Sequence, residues 1–334
     1  MFARSHALCA LSMFAMLSIV RADAAPAFDP SPYLHAQRLV DVGGRRMNLY
    51  CTGHGSPTVV LGTDGDDGTP AWRFVQPEIA KRTRVCSYDS AGLGFSDPVT
   101  TTLDASSAVT DLHELLAHAN VAPPFVIVGY SLSGLYARLY ADRYSREVAG
   151  MVLVAPNVPD QRKRLSAVAP ALGRALAQAV PFDKRCTAAA EHGRMHPDTP
   201  EYSACMYTPP DPTLPKALVD LIHLQWSRPG TWRDYSSADS ETSSASEVVR
   251  EQRDYGNMPL IVLTTTKDIT MLPIPKSQKA ALARAWVSWH EDIAHLSRQG
   301  TAFVVPGSTQ SIPIERPAVV VSAIDKVLDK VRYR

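Results

Sequence analysis

One serine in this 334-residue chain stands where its hydroxyl can act as a nucleophile. Residues Phe125 to Val128 form an apolar run that passes directly into Gly129-Tyr130-Ser131-Leu132-Ser133-Gly134, and an amphipathic helical pattern follows at once. A strand, a tight turn and a helix in this order lift the central side chain above the sheet edge. The turn is so sharp that the residues two before and two after the serine must be small, and Gly129 and Ser133 are. The chemistry on offer is attack of Ser131 Oγ on a carbonyl carbon, with the N–H of Leu132 aimed at the oxygen that becomes negative. An unassisted hydroxyl attacks poorly at neutral pH. A base, and a carboxylate to orient it, are therefore needed further along the chain.

The elements that must hold this turn alternate. Arg38–Val42 and Met47–Cys51 flank Gly43-Gly44 as a hairpin, and Pro57–Leu61 reads as a buried strand. A helix over Trp72–Lys81, a strand over Thr83–Tyr88 and a helix over Asp104–Ala119 come next. The Ser131 strand spans Phe125–Tyr130, its helix Leu132–Arg143, and Val148–Val154 is the following strand. The alternation then stops. Residues 157–256 carry helical patterns and proline breaks, as an inserted helical cap would. The Ser-rich tract Ser236–Ser246 suits either a linker or a helix N-terminus, and the apolar Val248-Val249 behind it favours the helix. Strand Pro259–Thr264, helix Lys276–Arg298, strand Thr301–Val305 and helix Ile314–Val331 resume the pattern. The expected fold is α/β, with a mostly parallel central sheet covered by helices on both faces. Its core is expected over 36–156 and 257–334, with 157–256 inserted as the cap.

Four segments together resemble the α/β-hydrolase superfamily, most of all its exported bacterial members with a helical cap: SPTVVL at 56–61, RVCSYDSAGLGFSDP at 84–98, the GYSLSG turn and PLIVLTTTKD at 259–268. The resemblance covers nearly the whole chain beyond its first residues. It implies that Ser131 is the nucleophile of a serine hydrolase acting on an ester or other acyl compound. It places the acid just beyond the strand after the cap, at Asp268. It places the histidine base after the last strand, where anchoring on Ile312, Glu315 and Pro317 puts Gln310 instead. Gln has no titratable nitrogen and cannot take a proton from a serine.

The loop after the third strand, Gly62-Thr63-Asp64-Gly65-Asp66-Asp67-Gly68, would supply Gly65 as the second oxyanion donor beside Leu132. Its carboxylates oppose an oxyanion if they turn inward. Asp64 and Asp66 lack the later ligands of a calcium loop. His290 and His295 read as face residues of an outer helix, away from the turn, while His192, His196 and His223 lie in the cap. The function implied is acyl hydrolysis through Ser131 with an atypical triad. The alternative is an inactive scaffold binding a small apolar ligand or partner. Leu218, Trp226, Trp232 and Met206 would then either line that ligand's pocket or form the core of the cap.

The bulk composition sets outer bounds. A formal charge of +1 gives no reason to expect a nucleic-acid partner. No dinucleotide fingerprint, phosphate loop or metal cluster is written in the chain, so no cofactor is expected. Arg4 and His6, the apolar run Ala7–Val20 and Ala22-Asp23-Ala24 read as a signal peptide over residues 1–24. An uncleaved anchor is the other reading. Cleavage would remove Arg4, Arg21 and Asp23 and take the formal charge to zero. Export to the periplasm or medium, with no stable membrane span after cleavage, is expected. Four cysteines then remain, and the pairing favoured is Cys51–Cys86, on adjacent strands, with Cys186–Cys205, inside the cap. A zinc site and isolated buried thiols are the alternatives.

Overall fold

The computed structural model describes residues 28–62, 68–99, 104–206, 214–235 and 238–332. The expected signal peptide, residues 1–24, and the expected oxyanion donor Gly65 lie outside the described residues. The strands are β1 (Leu39–Asp41), β2 (Arg46–Thr52), β3 (Thr58–Gly62), β4 (Val85–Tyr88), β5 (Phe125–Tyr130), β6 (Val148–Val154), β7 (Leu260–Thr264) and β8 (Gly300–Val304). They form one eight-stranded sheet in the order β1-β2-β4-β3-β5-β6-β7-β8. The β1–β2 and β2–β4 pairs are antiparallel and the others parallel. Strands β3, β5 and β7 are buried along their whole length. That is the environment of parallel strands covered on both faces, and it explains their unbroken Val/Ile/Leu runs. β8 closes one edge and leaves Phe303 and Val304 exposed.

Among the described residues, the helices before the insertion are α1 (Gln76–Ala80), α2 (Ala105–His118) and α3 (Ser133–Arg143). The expected helix over Trp72–Lys81 is shorter than its pattern. Thr69–Trp72 is a 3-10 turn, and α1 begins only where Pro77, which lacks an N–H, can occupy the first turn. α2 starts at a reciprocal cap, in which the Asp104 carboxylate accepts the Ser107 N–H and Ser107 Oγ accepts the Asp104 N–H. The inserted stretch carries α4 (Gln161–Val168), α5 (Pro170–Glu191), α6 (Pro200–Cys205), α7 (Lys216–Trp226), α8 (Pro229–Tyr235) and α9 (Ala238–Glu251). Then follow α10 (Lys267–Met271), α11 (Lys276–Ala294), α12 (Ile312–Glu315) and α13 (Pro317–Arg332). Pro317 splits the expected single helix over Ile314–Val331 into α12 and α13 by withholding a helical N–H.

Two apolar layers clamp the sheet. Leu112, Leu115, Leu116, Leu135, Leu139 and Ile293, from α2, α3 and α11, cover one face. Ile79, Val320, Ile324, Val327 and Leu328, from α1 and α13, cover the other. Each such side chain contributes about 1.5–3 kcal/mol on burial, so these two layers fix the strand order on which the site depends.

In the insertion, Leu218, Ile222, Trp226 and Trp232 pack together with Cys186 and Cys205, and the two indoles meet edge to face at 5.0 Å. These residues form an apolar core of their own, and of the two readings for Leu218, Trp226 and Trp232 this is the one their burial fits. α9 lies against α2 and α3: Ser244 Oγ accepts the Ala105 N–H, Glu247 accepts the Ser106 N–H, and Glu251 pairs with Arg143. Two disulfides are formed, Cys51–Cys86 and Cys186–Cys205, in the favoured pairing. Cys51 and Cys86 are direct partners across the β2–β4 ladder, and Cys186–Cys205 ties α5 to α6.

Candidate active site

Parallel pairing brings the ends of β3, β5, β6, β7 and β8 to one sheet edge. Gly62 pairs with Gly129, Tyr130 with Val154, Val154 with Leu263, and Thr264 with Val304. The residues just past these strands therefore share that edge, although the ends of β3 and β8, Gly62 and Val304, are 242 positions apart in sequence.

Ser131 sits in the turn between β5 and α3 with φ +56°. A left-handed backbone at a residue bearing a Cβ costs on the order of 1–3 kcal/mol and persists only where its surroundings enforce it. Here they do. The Ser131 N–H donates to Val154 O at 3.1 Å, and Ser131 O accepts from Gly134 N at 2.9 Å and Asn157 N at 3.0 Å. The turn also needs its glycines. A Cβ on Gly129 would stand 2.6 Å from Ser133 O and 2.9 Å from Ala137 Cβ. One on Gly134 would stand 2.5 Å from Pro156 Cβ. Leu132 is the N-cap of α3, and its N–H has no acceptor among the described residues. It is one of the open donors that every helix start leaves.

Asp268 lies in the first turn of α10, four residues past β7, and is half-buried. Its Oδ2 accepts the backbone N–H of Gln310 at 2.7 Å. Burial pushes its carboxyl above the usual range, while the Gln310 N–H opposes that shift. The Gln310 side chain is exposed. The loop that carries it is held by Glu315, which accepts the Thr309 N–H at 2.9 Å and the Thr309 hydroxyl at 2.6 Å, and by Thr265 Oγ1, which donates to Ser308 O. The structure thus joins the Asp268 carboxylate to the backbone of position 310, whose side chain is an amide.

Ser131 Oγ has no imidazole within hydrogen-bond distance among the described residues. His113 and His118 point to Tyr140 and Asp41, His192 to Ala188, and His35 to Gln37. His223 is half-buried, and its Nε2 is buried with no hydrogen-bond partner.

His290 departs from the sequence reading as a face residue of an outer helix. It is fully buried and reaches the sheet edge, with Nε2 2.9 Å from Pro156 O and Nδ1 2.5 Å from Thr264 Oγ1. A carbonyl only accepts, so Nε2 carries the proton and Thr264 Oγ1 donates to Nδ1. Burial lowers its pKa to about 4, which keeps the ring neutral. Pro156 also packs against Gly134, so the imidazole braces the turn from behind. Sequence spacing held a signal for this: Leu282, Trp286, Trp289, His290 and Ile293 recur at helical intervals on one face. Thr264 and Pro156, which complete the bracing, carry none.

A model of the alpha/beta hydrolase family matches residues 51–323. The uncharacterised protein YbdG of Bacillus subtilis is 26% identical over 125 residues, covering 37% of this chain and 38% of that protein. The 2-hydroxy-6-oxo-2,4-heptadienoate hydrolase of Pseudomonas putida is 32% identical over 120 residues, 35% of this chain and 43% of that one. The chain therefore matches less than half the length of either relative. A thermophilic esterase from Thermogutta terrifontis superposes with a TM-score of 0.54 at 18% identity, over 86% of this chain and 94% of that one.

Proposed function

The chain belongs to the alpha/beta hydrolase family, and from that premise we propose a serine hydrolase-like protein with an atypical triad. Ser131 Oγ attacks the carbonyl carbon of an ester or related acyl compound. The oxyanion is held by the Leu132 N–H and, in this reading, the Gly65 N–H. The alkoxide leaves, and water then releases the acid from acyl-Ser131. Asp268 stands at the acid position, and the missing part is the base. With Gln310 at the histidine position, the serine proton passes to water or to the leaving oxygen. Binding and the oxyanion donors alone then supply on the order of 10³–10⁴-fold over water.

The observation that carries this reading is the 2.7 Å bond from the Gln310 N–H to Asp268. It supports an acid and a base position in register, with the base side chain replaced. The absence of an imidazole partner for Ser131 among the described residues favours a second reading, a hydrolase scaffold that binds a small apolar ligand without turning it over. Labelling with a fluorophosphonate probe, with Ser131→Ala as control, separates the two. Rapid labelling at Ser131 supports the hydrolase, and no labelling of the native protein, with labelling restored in Gln310→His, supports the binding scaffold.

Export, cleavage after residue 24 and a division into a 36–156 plus 257–334 core and a 157–256 cap belong to the same proposal. Two disulfides support an oxidising compartment. No helix among the described residues is long and apolar enough to cross a membrane.

A further inference from the structure

Away from the Ser131 turn, a cavity of about 550 Å³ opens between α3, α4, α9 and α11. Its size is that of a small-molecule site. Arg138 of α3 forms part of its wall, with only 1% of its surface exposed. Its Nη2 donates to Gln252 Oε1 at 2.6 Å, but Nε and Nη1 have no partner. The acid one turn further along α3 does not take them up. Asp142 Oδ1 accepts the Arg253 N–H, and Oδ2 is unpaired. Burial pushes the Asp142 carboxyl up to about 6 against the pull of Arg138, so it is a nearby counter-charge that makes no hydrogen bond to the guanidinium. A buried guanidinium with open N–H groups is costly, and an anion supplies what it lacks.

The rest of the lining says which anion. Lys163 and Arg164 add two cations, and Asp160 and Asp292 two carboxylates, so with Arg138 the formal balance is +1. That balance suits a monoanion over a phosphate dianion. Val158, Ile293 and Leu296 line the cavity with apolar surface, and Arg164 stacks on Trp289 with its guanidinium 4.7 Å from the ring centre.

We propose that this cavity binds a monocarboxylate with an apolar tail, the carboxylate toward Arg138 and Lys163 and the tail against Val158, Ile293 and Leu296. The site is separate from Ser131 and does not depend on turnover there.

Octanoate is the probe, titrated into the purified protein at low salt and read by calorimetry and by the indole fluorescence of Trp289. One site per chain is expected, with 1-octanol at least tenfold weaker. Lys163→Glu, an exposed position, should weaken octanoate at least tenfold. Val249→Trp, which places an indole from an exposed position into the mouth of the cavity, should abolish binding while leaving fluorophosphonate labelling at Ser131 as in the native protein. Arg138→Met is read only if its melting temperature stays within a few degrees of native, and then should bind no octanoate. Equal affinity for octanol, affinity unchanged in Lys163→Glu or Val249→Trp, or no saturable binding at millimolar octanoate would overturn the proposal.

Discussion

The carboxylate of Asp268 accepts the backbone N–H of Gln310 at 2.7 Å, joining the loop after β7 to the loop after β8. The contact is made by backbone, so it does not depend on which side chain position 310 carries. A side-chain change at position 310 therefore leaves the contact to Asp268, and the loop it holds, in place.

Gln310→His should therefore raise p-nitrophenyl ester hydrolysis by 10²-fold or more, since a positioned base typically contributes 10²–10⁴-fold. Asp268→Asn should remove most of that gain in the Gln310→His background and change the native rate little, because the acid acts only through an imidazole. Equal loss in both backgrounds would show that Asp268 does something other than orient a base.

His290 gives the fold an acid-sensitive brace. Its folded pKa of about 4 lies below the ordinary value of 6.5, so between these pH values the unfolded chain binds the proton and the folded one does not. This contribution is complete above pH 6.5 and is lost as pH falls toward 4, on the order of 3 kcal/mol in all. Asp142, with its pKa raised to about 6, acts in the opposite sense, gaining stability as pH falls through the same range. The difference between native and His290→Phe isolates the imidazole. Urea midpoints at pH 7 and pH 4.5 should show a smaller acid loss in the variant, with lower stability at pH 7 from the unpaired Thr264 hydroxyl.

Gly134→Ala tests the packing behind the turn. Its Cβ would lie 2.5 Å from Pro156 Cβ, so β6's exit or α3 must move. Thermal unfolding should report a loss of about 1–3 kcal/mol, and fluorophosphonate labelling should fall more than tenfold. Native stability in Gly134→Ala would mean that this contact has slack.

Cys186 and Cys205 close a loop with a sequence separation of 19 inside the inserted helices. Replacing both with Ala should cost about 3 kcal/mol from the unfolded-chain entropy, read as a lower melting temperature under non-reducing conditions. Cys51 and Cys86 lie opposite each other on β2 and β4, so their removal should also weaken that ladder.

Much of this architecture is legible along the chain. β5 and β6 lie at their expected boundaries, and the Ser131 turn follows from small residues on either side of one serine. Both cysteine pairs follow from their places in adjacent strands and within the insertion. Helix limits were less readable where proline intervenes, as at Pro77 and Pro317, because a missing N–H ends or starts a helix regardless of the apolar period around it.

The sequence by itself determined the alternation, the tight turn around Ser131, and the places of Asp268 after β7 and Gln310 after β8, since each is written in local spacing. Tertiary structure alone decided what those residues meet. It bound Asp268 to the Gln310 backbone, drew His290 from an outer helix to Pro156 and Thr264, and buried Arg138 with its donors open. These contacts join residues 26 to 134 positions apart or depend on helices packed from distant segments, and strand order and layer packing, which no local period encodes, decide them.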